Sequence, residues 1–129
     1  MCFSKVKLNP KPIVETKINA FEMKQKLQPI GFSENAVYYW DSYFYCISLE
    51  DWGKVLMDVM FNMPKYTTDK FDCENFAMLV SARVSEKYKL NTCGVAIGTG
   101  RGGRHGFNLI VATDGLIYFE PQTGDFIEL

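Results

Sequence analysis

One cysteine and the only histidine of the chain have the residue types and the order that nucleophilic chemistry requires. Cys73 lies in the segment DCENFA at residues 72–77, and His105 begins the segment HGFN at residues 105–108. A thiol nucleophile needs a base, and with one imidazole in the chain His105 is the one candidate. Glu120 follows 15 residues later and offers a carboxylate that can orient the ring. The order of the three residues predicts a nucleophile, a base and an orienting acid.

The surroundings of Cys73 favour a reactive thiol. A helix is predicted from Asp72 to about Tyr88, with Asp72 as its N-cap and Cys73 in its first turn. Unpaired amide groups and the helix dipole at this position stabilise a thiolate over a thiol. The alternative is a buried structural cysteine, which is our interpretation of Cys46 and Cys93. The polar residues on both sides of Cys73 favour the reactive interpretation.

Glu120 and Gln122 are both candidates for the group that orients His105. Two antiparallel strands are predicted here, joined by a tight turn at residues 114–115 (DG). With a strict two-residue turn, Glu120 faces Leu109, which is about 13 Å from His105 at ~3.3 Å per residue. Gln122 then lies diagonally closer, whereas a longer turn or a bulge brings Glu120 nearer. The spacing alone leaves both residues open.

Hydrophobic periodicity outside these motifs predicts further helices and strands. One helix is predicted over residues 16–27, with Ile18, Phe21 and Leu27 facing inward, and another from residue 49 to a stop at Pro64. The aromatic-rich run at residues 36–47 is predicted to be extended. Strands are predicted over residues 93–97, 105–113, 116–120 and 126–129.

The order of these elements predicts the fold class. Helices that precede antiparallel strands indicate an α+β fold, with N-terminal helices packed on a C-terminal antiparallel sheet. The chain is predicted to be a single domain. Residues 1–35 are its N-terminal extension and helix, and residues 36–129 are its core.

Composition and charge exclude several classes of protein. With 129 residues, 47% of them apolar, the chain can bury one core. A net charge of −1 with scattered basic residues argues against nucleic-acid binding, and no run approaches the ~18 apolar residues of a membrane span. No signal peptide is seen, which predicts a cytoplasmic or host-cell soluble protein. The four cysteines, at positions 2, 46, 73 and 93, lack zinc-ligand spacing and are expected to be free thiols.

Taken together, the motifs resemble the papain-like and transglutaminase-like superfamily of cysteine peptidases. The resemblance rests on DCENFA at 72–77, HGFN at 105–108 and YFEPQT at 118–123. More narrowly, it is to the cysteine-protease domain of fungal chimeric agglutinins and to related short phage and bacterial domains. It implies a papain-like core over residues 36–129, with Cys73 as nucleophile and His105 as general base. It also favours Glu120 over Gln122 as the orienting acid.

The function that this resemblance implies is a thiol hydrolase, which makes the chain a cysteine peptidase or amidase. A peptide or amide substrate would pass through an acyl-enzyme on Cys73. The alternatives are transglutaminase-like acyl transfer and a non-catalytic viral or bacterial accessory protein that keeps the fold. Thr67 stands where papain-like enzymes have an oxyanion glutamine, so Tyr66 is the alternative donor. Asn108 is expected to support the histidine strand, and Trp40 to line a cleft.

The last two expectations concern calcium binding and the formation of a dimer. The chemistry itself requires no cofactor, but the resemblance implies calcium. Asp72 and Glu74 offer hard oxygen ligands for this metal, with a capped helix start as the alternative interpretation. A dimer is compatible with the sequence, and residues 1–35 are a candidate dimerisation arm, a cover for the site, or part of the core.

Overall fold

The central strand of the fold contains four successive apolar residues, 109–112, that are all buried. The structure is a computed structural model that describes residues 13–33, 35–100 and 103–129. Neighbouring side chains of a strand point to opposite faces, so this run needs a packed layer on each side. Ile110 and Ala112 join a core beneath two helices, and Leu109 and Val111 join a second core on the other face.

The elements form two antiparallel sheets and three α-helices. In chain order they are β1 (Thr16–Asn19), α1 (Ala20–Leu27), a short 3-10 turn (Gln28–Ile30), β2 (Tyr43–Cys46), α2 (Leu49–Val59), α3 (Cys73–Tyr88), β3 (Cys93–Gly100), β4 (Gly103–Ala112), β5 (Gly115–Glu120) and β6 (Asp125–Glu128). The large sheet has the order β3-β4-β5-β6, and β1 pairs with β2 in the small one. Within the described ranges, no helix is both long and apolar enough to cross a membrane.

Helix α2 has a regular start and an unusual end. The Ser48 hydroxyl accepts a hydrogen bond from the Asp51 N–H at 3.1 Å, which caps the first turn. The helix was predicted to reach Pro64, but it ends at Val59. The Arg83 guanidinium of α3 donates to the Val59 carbonyl at 2.9 Å and to that of Phe61, so it satisfies acceptors that another turn would otherwise bind. This cap also fixes α2 against α3.

The N-terminal part of the predicted fold class is wrong. Residues 16–19 form β1 and pair with β2 instead of opening a helix. Asn19 is the reason, because its side chain caps α1 in a capping box with Glu22 and so starts the helix at Ala20. The small sheet and helix α1 therefore cover the second face of the large sheet together. The result is mostly antiparallel sheet with three helices, not helices alone packed on one sheet.

Part of the predicted N-terminal extension belongs to the core. Ile18, Met23 and Leu27 are buried against β2 and the large sheet. Residues 1–12, which include Cys2, lie outside the described residues. The division of the chain at residue 35 stays a prediction.

Candidate functional site

Cys73 is the first residue of α3, and its sulfur contacts the strand that carries the histidine. The Gly106 N–H of β4 donates to the Cys73 Sγ at 3.3 Å. This amide is free of the sheet because β4 is longer than β5, whose pairing with β4 ends at Asn108 and Phe119. Continuing that register places Pro121 opposite Gly106, and proline has no N–H that could donate to the Gly106 carbonyl and continue the ladder. The Cys73 thiol thus lies beyond the end of β5, where it accepts the hydrogen bond of the Gly106 N–H.

The close approach of α3 to β4 depends on the absence of a side chain at Gly106. A Cβ atom there would lie 2.9 Å from the Glu74 Cα and 3.0 Å from its backbone nitrogen. Real structures avoid such contacts, so any other residue would push the helix away. Gly106 was not among the predicted site residues, although its position directly after the only histidine was a signal for it.

Glu120 is placed to orient His105. Its Oε2 lies 2.5 Å from the His105 Nε2. The turn between β4 and β5 consists of residues 113–114, since Ala112 pairs with Gly115. It lies one residue earlier than predicted, and the register then places Glu120 opposite Phe107, diagonal to His105. With Nε2 protonated, its N–H donates a hydrogen bond to the Glu120 carboxylate, and Nδ1 is then the ring nitrogen that can accept a proton.

Glu120 is itself held by neighbours. The Tyr118 hydroxyl donates to Oε2 at 3.2 Å, and the Gln122 N–H donates to Oε1 at 3.3 Å. Burial, followed by the nearby Glu120 charge, raises the pKa of Tyr118, so its hydroxyl remains a donor. Gln122 therefore contacts Glu120 through its backbone, and it is Glu120 whose side chain reaches His105.

The carboxylate of Glu74, which was predicted as a calcium ligand, contacts the Cys73 sulfur. The Cys73 thiol donates to the Glu74 Oε2 at 3.3 Å. The backbone N–H of Glu74 holds the pKa of its own carboxyl below the usual range, whereas interaction with Glu74 raises the pKa of Asp72. An ionised Glu74 beside the sulfur opposes thiolate formation, while the helix N-terminus and the Gly106 amide favour it.

The other described cysteines lack these features. Cys46 and Cys93 are buried, and all three are free thiols. Burial raises the pKa of Cys46, and it raises that of Cys93 to about 12. Of the three, Cys73 alone is partly exposed. It is therefore the one described thiol that a ligand can reach.

Two further predicted site residues, Asn108 and Tyr66, both contact helix α3. Asn108 is fully buried, and its Nδ2 donates to the Ala77 carbonyl at 2.9 Å and the Gly94 carbonyl at 3.2 Å, which ties α3 and β3 to β4. Tyr66 stacks on Phe76 of α3, with ring centroids 6.5 Å apart.

Trp40 lies in the segment that precedes β2, and it is 92% exposed. None of the hydrogen bonds found among the described residues joins it to the cluster around Cys73. Its predicted role as a cleft wall therefore gains no support from the described contacts.

Calcium binding stays a prediction. Asp72 and Glu74 flank Cys73, but nowhere in the described ranges do three His, Cys, Asp or Glu side chains converge in a way that would hold a metal ion. Calcium takes 6–8 oxygen ligands, so two carboxylates would need several backbone, amide or water oxygens in addition.

A cavity of about 700 Å³ that the sequence did not indicate opens beside α1. Phe21 lines it and is 67% exposed, although it was predicted to face inward. Because α1 begins at Ala20, Met23 and Leu27 take the buried positions, and Phe21 falls on the other side. The remaining lining residues include two aromatic rings, Phe32 and Tyr39, and the polar side chains of Lys24, Gln25, Gln28, Ser33 and Asn35.

The fold is similar to solved structures of a lectin. A structure described as the PSL1a–E64 complex matches with a TM-score of 0.71 and 18% identity, over 85% of this chain and 46% of that one. A structure of Polyporus squamosus lectin bound to the influenza-binding epitope Neu5Acα2-6Galβ1-4GlcNAc matches with a TM-score of 0.69 and 17% identity, over 86% and 45%. The chain thus spans less than half of either lectin chain. No family model matches the sequence, and no curated protein matches it.

These similarities correct the family and the function expected from the sequence. Neither description names a peptidase or any other enzyme, and one names a lectin bound to a glycan. On this finding the papain-like and transglutaminase-like assignment, with its papain-like core, is wrong. The predicted cysteine peptidase or amidase is wrong for the same reason, together with its hydrolase class and its acyl-transfer alternative. The non-catalytic viral or bacterial accessory protein and the phage or bacterial relatives gain no support from these neighbours. A peptide substrate has no support from these neighbours.

Proposed function

We propose that the chain binds a ligand at Cys73, with His105 and Glu120 as the base and its positioning carboxylate. The observation that carries this proposal is the 3.3 Å contact between the Gly106 N–H and the Cys73 Sγ, which places the thiol against the residue that follows His105. The sulfur is partly exposed, whereas Cys46 and Cys93 are buried. This geometry suits a ligand that is attached through sulfur.

The chemistry of attachment follows from the groups present. Sγ forms a bond to an electrophilic carbon of the ligand, and the thiol proton passes to the His105 Nδ1. That proton then moves to the ligand atom that receives the electron pair displaced from the carbon. The Gly106 N–H stabilises negative charge on sulfur before the bond forms. Glu120 keeps Nε2 protonated throughout, so that Nδ1 remains the acceptor.

His105 suits the role of proton acceptor better than Glu74 does. Glu74 accepts the thiol hydrogen bond, but its pKa is lowered by its own backbone N–H, so it is a weak base. Its negative charge also disfavours a thiolate at the same distance. Glu74 therefore restrains Cys73, whereas His105 activates it.

The test is the rate at which iodoacetamide alkylates Cys73, measured by mass spectrometry between pH 5 and 9. We expect wild-type Cys73 to react at least about tenfold faster at pH 6 than the same thiol in His105→Ala, because a positioned base typically contributes roughly 10²–10⁴-fold. Glu120→Gln should slow the reaction less, and Glu74→Gln should accelerate it. Cys46 and Cys93 of the same molecule serve as internal controls and should remain unmodified.

Two results would contradict the proposal. A Cys73 that reacts no faster than a free thiol, with no change in His105→Ala, would exclude an activated site. An equal loss of rate in Glu74→Gln would make Glu74 the base in place of His105. Repeating the series with added calcium tests the predicted metal, because calcium bound by Asp72 and Glu74 would cancel the restraining charge and raise the rate.

The ligands named for the two lectin structures serve as competitors in a second experiment on Cys73. E64 or Neu5Acα2-6Galβ1-4GlcNAc is incubated with the protein before iodoacetamide is added. If E64 binds at the Cys73 thiol, E64 should protect Cys73 and the glycan should not. Protection by the glycan alone would show that sugar binds over the thiol, which would contradict attachment through sulfur.

Carbohydrate binding is a second candidate function, and the cavity beside α1 favours it. One lectin structure is described with a bound sialylated glycan. The cavity of about 700 Å³ is within the range of ligand sites, and it combines aromatic rings with amide and hydroxyl groups. Aromatic faces pack on the apolar faces of sugars, and amides bind sugar hydroxyls. Lys24 adds a cation that can pair with the carboxylate of the terminal sugar.

Calorimetric titration with Neu5Acα2-6Galβ1-4GlcNAc tests the cavity. We expect Phe21→Ala to weaken binding about tenfold or more, because its ring supplies much of the apolar surface. Trp40→Ala is the matched control, since this ring is even more exposed and does not line the cavity. Loss of binding in Trp40→Ala with normal binding in Phe21→Ala would place the glycan elsewhere.

A further inference from the structure

The two edges of the large sheet differ in how they are protected from pairing. The outer strand β6 has four residues, and two of them, Asp125 and Glu128, carry charge. The opposite edge strand β3 has eight residues, with neither a charged side chain nor a proline among them. Short length and charge are the usual means by which proteins keep edge strands apart. One edge of this sheet is therefore blocked, and the other is open for pairing.

The backbone groups on the open edge can be identified from the register. The Val111 N–H of β4 donates to the carbonyl of Thr92, the residue directly before β3, at 3.0 Å. The backbone groups of Thr92 therefore point toward β4. Because successive residues of a strand point their backbone groups to opposite sides, Val95, Ile97 and Thr99 point away from β4. No strand in the described part of the chain pairs with that side of β3.

The same edge exposes large apolar side chains. Val95 is 43% exposed and Ile97 is 52% exposed. The Ser81 hydroxyl of α3 donates to the Cys93 carbonyl at 2.7 Å, which places this side of α3 along the edge. Met78 lies about one turn before Ser81 and is 55% exposed. Free backbone groups and exposed apolar side chains thus lie along the same edge of the sheet, the outer edge of β3.

We propose that β3 pairs with β3 of a second copy of this chain, antiparallel about a two-fold axis. A strand with alternating free N–H and carbonyl groups is complementary to itself in this arrangement. An uncharged strand neither repels its copy nor requires a partner of opposite charge, which favours a second copy over an unrelated protein. Two four-stranded sheets then become one continuous sheet of eight, a size that open sheets commonly reach. This inference does not rest on the chemistry of Cys73.

Sedimentation velocity over about 1–200 μM protein is the primary test. Wild type should show a concentration-dependent shift from monomer to dimer. Val95→Lys and Ile97→Lys should weaken the dimer at least about tenfold, because like charges would meet across the two-fold axis. Ile127→Lys is the matched control on β6, with the same exposure as Ile97, and it should dimerise as wild type does. Equal melting temperatures for the variants would show that they fold.

Hydrogen exchange distinguishes the competing outcomes. The amides of Val95, Ile97 and Thr99 should exchange slowly at high protein concentration and rapidly at low concentration. A wild-type protein that remains monomeric with these amides exchanging rapidly would overturn the proposal. Slow exchange in a monomer would mean that a segment of the same chain covers the edge, which would also overturn it. So would a dimer that both lysine variants leave intact.

Discussion

Asn108→Asp is expected to lower the free energy of unfolding at pH 7 by about 3–5 kcal/mol, the cost of an uncompensated buried charge. Asn108 is fully buried, and its amide donates to the carbonyls of Ala77 and Gly94. An ionised carboxylate would direct an oxygen at both carbonyl oxygens in place of this donor. Urea denaturation followed by tryptophan fluorescence measures the loss, and Trp52, which is buried in the core, provides the signal.

The pH dependence of this variant has a definite sign. Burial raises the pKa of the new carboxyl above its value near ~3.9 in the unfolded chain. The folded state therefore binds the proton more tightly, so the variant is closest to wild type below pH ~4 and loses stability as the pH rises above this value. Asn108→Leu is the control, because it removes the same hydrogen bonds without a titratable group. A loss in Asn108→Asp that stayed constant from pH 4 to pH 7 would show that the site admits water.

Gly106→Ala is expected to lower the free energy of unfolding by about 1–3 kcal/mol, the usual cost of overpacking. The added Cβ would lie 2.9 Å from the Glu74 Cα. A Cβ is fixed to its backbone, and the Glu74 Cα is part of the helix backbone, so neither atom can move without its element. The start of α3 must therefore move away from β4. This movement lengthens the contact between the Gly106 N–H and the Cys73 Sγ, so the variant should also lose much of the fast alkylation at pH 6.

Gly53→Ala provides the comparison for this effect. Gly53 lies within α2, and a Cβ there meets nothing within 4 Å. The same chemical change should raise stability by roughly 0.5–1 kcal/mol, because alanine is the better helix residue. Alkylation of Cys73 should not change. If Gly106→Ala were as harmless as Gly53→Ala, the close approach of α3 to β4 would not be a requirement of the site.

Local signals in the sequence located most of the elements. The capped start of α3 and the pattern that follows it predicted a helix over 72–88, and the structure has it at Cys73–Tyr88. The predicted strand over 105–113 corresponds to β4. These signals depend on neighbours within a few residues, which is why one sequence contains them. Long-range contacts were not visible in the same way.

The turn between β4 and β5 illustrates the limit. The Asp114 carboxylate accepts a hydrogen bond from the Leu49 N–H at 2.8 Å, and Gly115 lies against the Leu49 side chain. A residue 65 positions away thus fixes the turn one residue earlier than the local pattern suggested. With the turn shifted, Glu120 reaches His105 without the longer turn or bulge that the predicted register required. The side of α1 that carries Phe21 was misassigned because the helix begins at Ala20, where the Asn19 cap places it.

The difference in length between β4 and β5 determines how rigid the Cys73 site is. Its amide donor belongs to a central strand and its sulfur to the first turn of a packed helix, so neither depends on a loop that must be ordered when a ligand arrives. Binding at such a site costs little conformational entropy, because folding has already fixed the groups. Pro121 therefore contributes without touching the ligand. Because proline cannot donate to the Gly106 carbonyl, the ladder is not continued beyond the end of β5 at Glu120, and among the described residues the Gly106 N–H has no partner strand there. The affinity available at Cys73 is in part a consequence of where β5 ends.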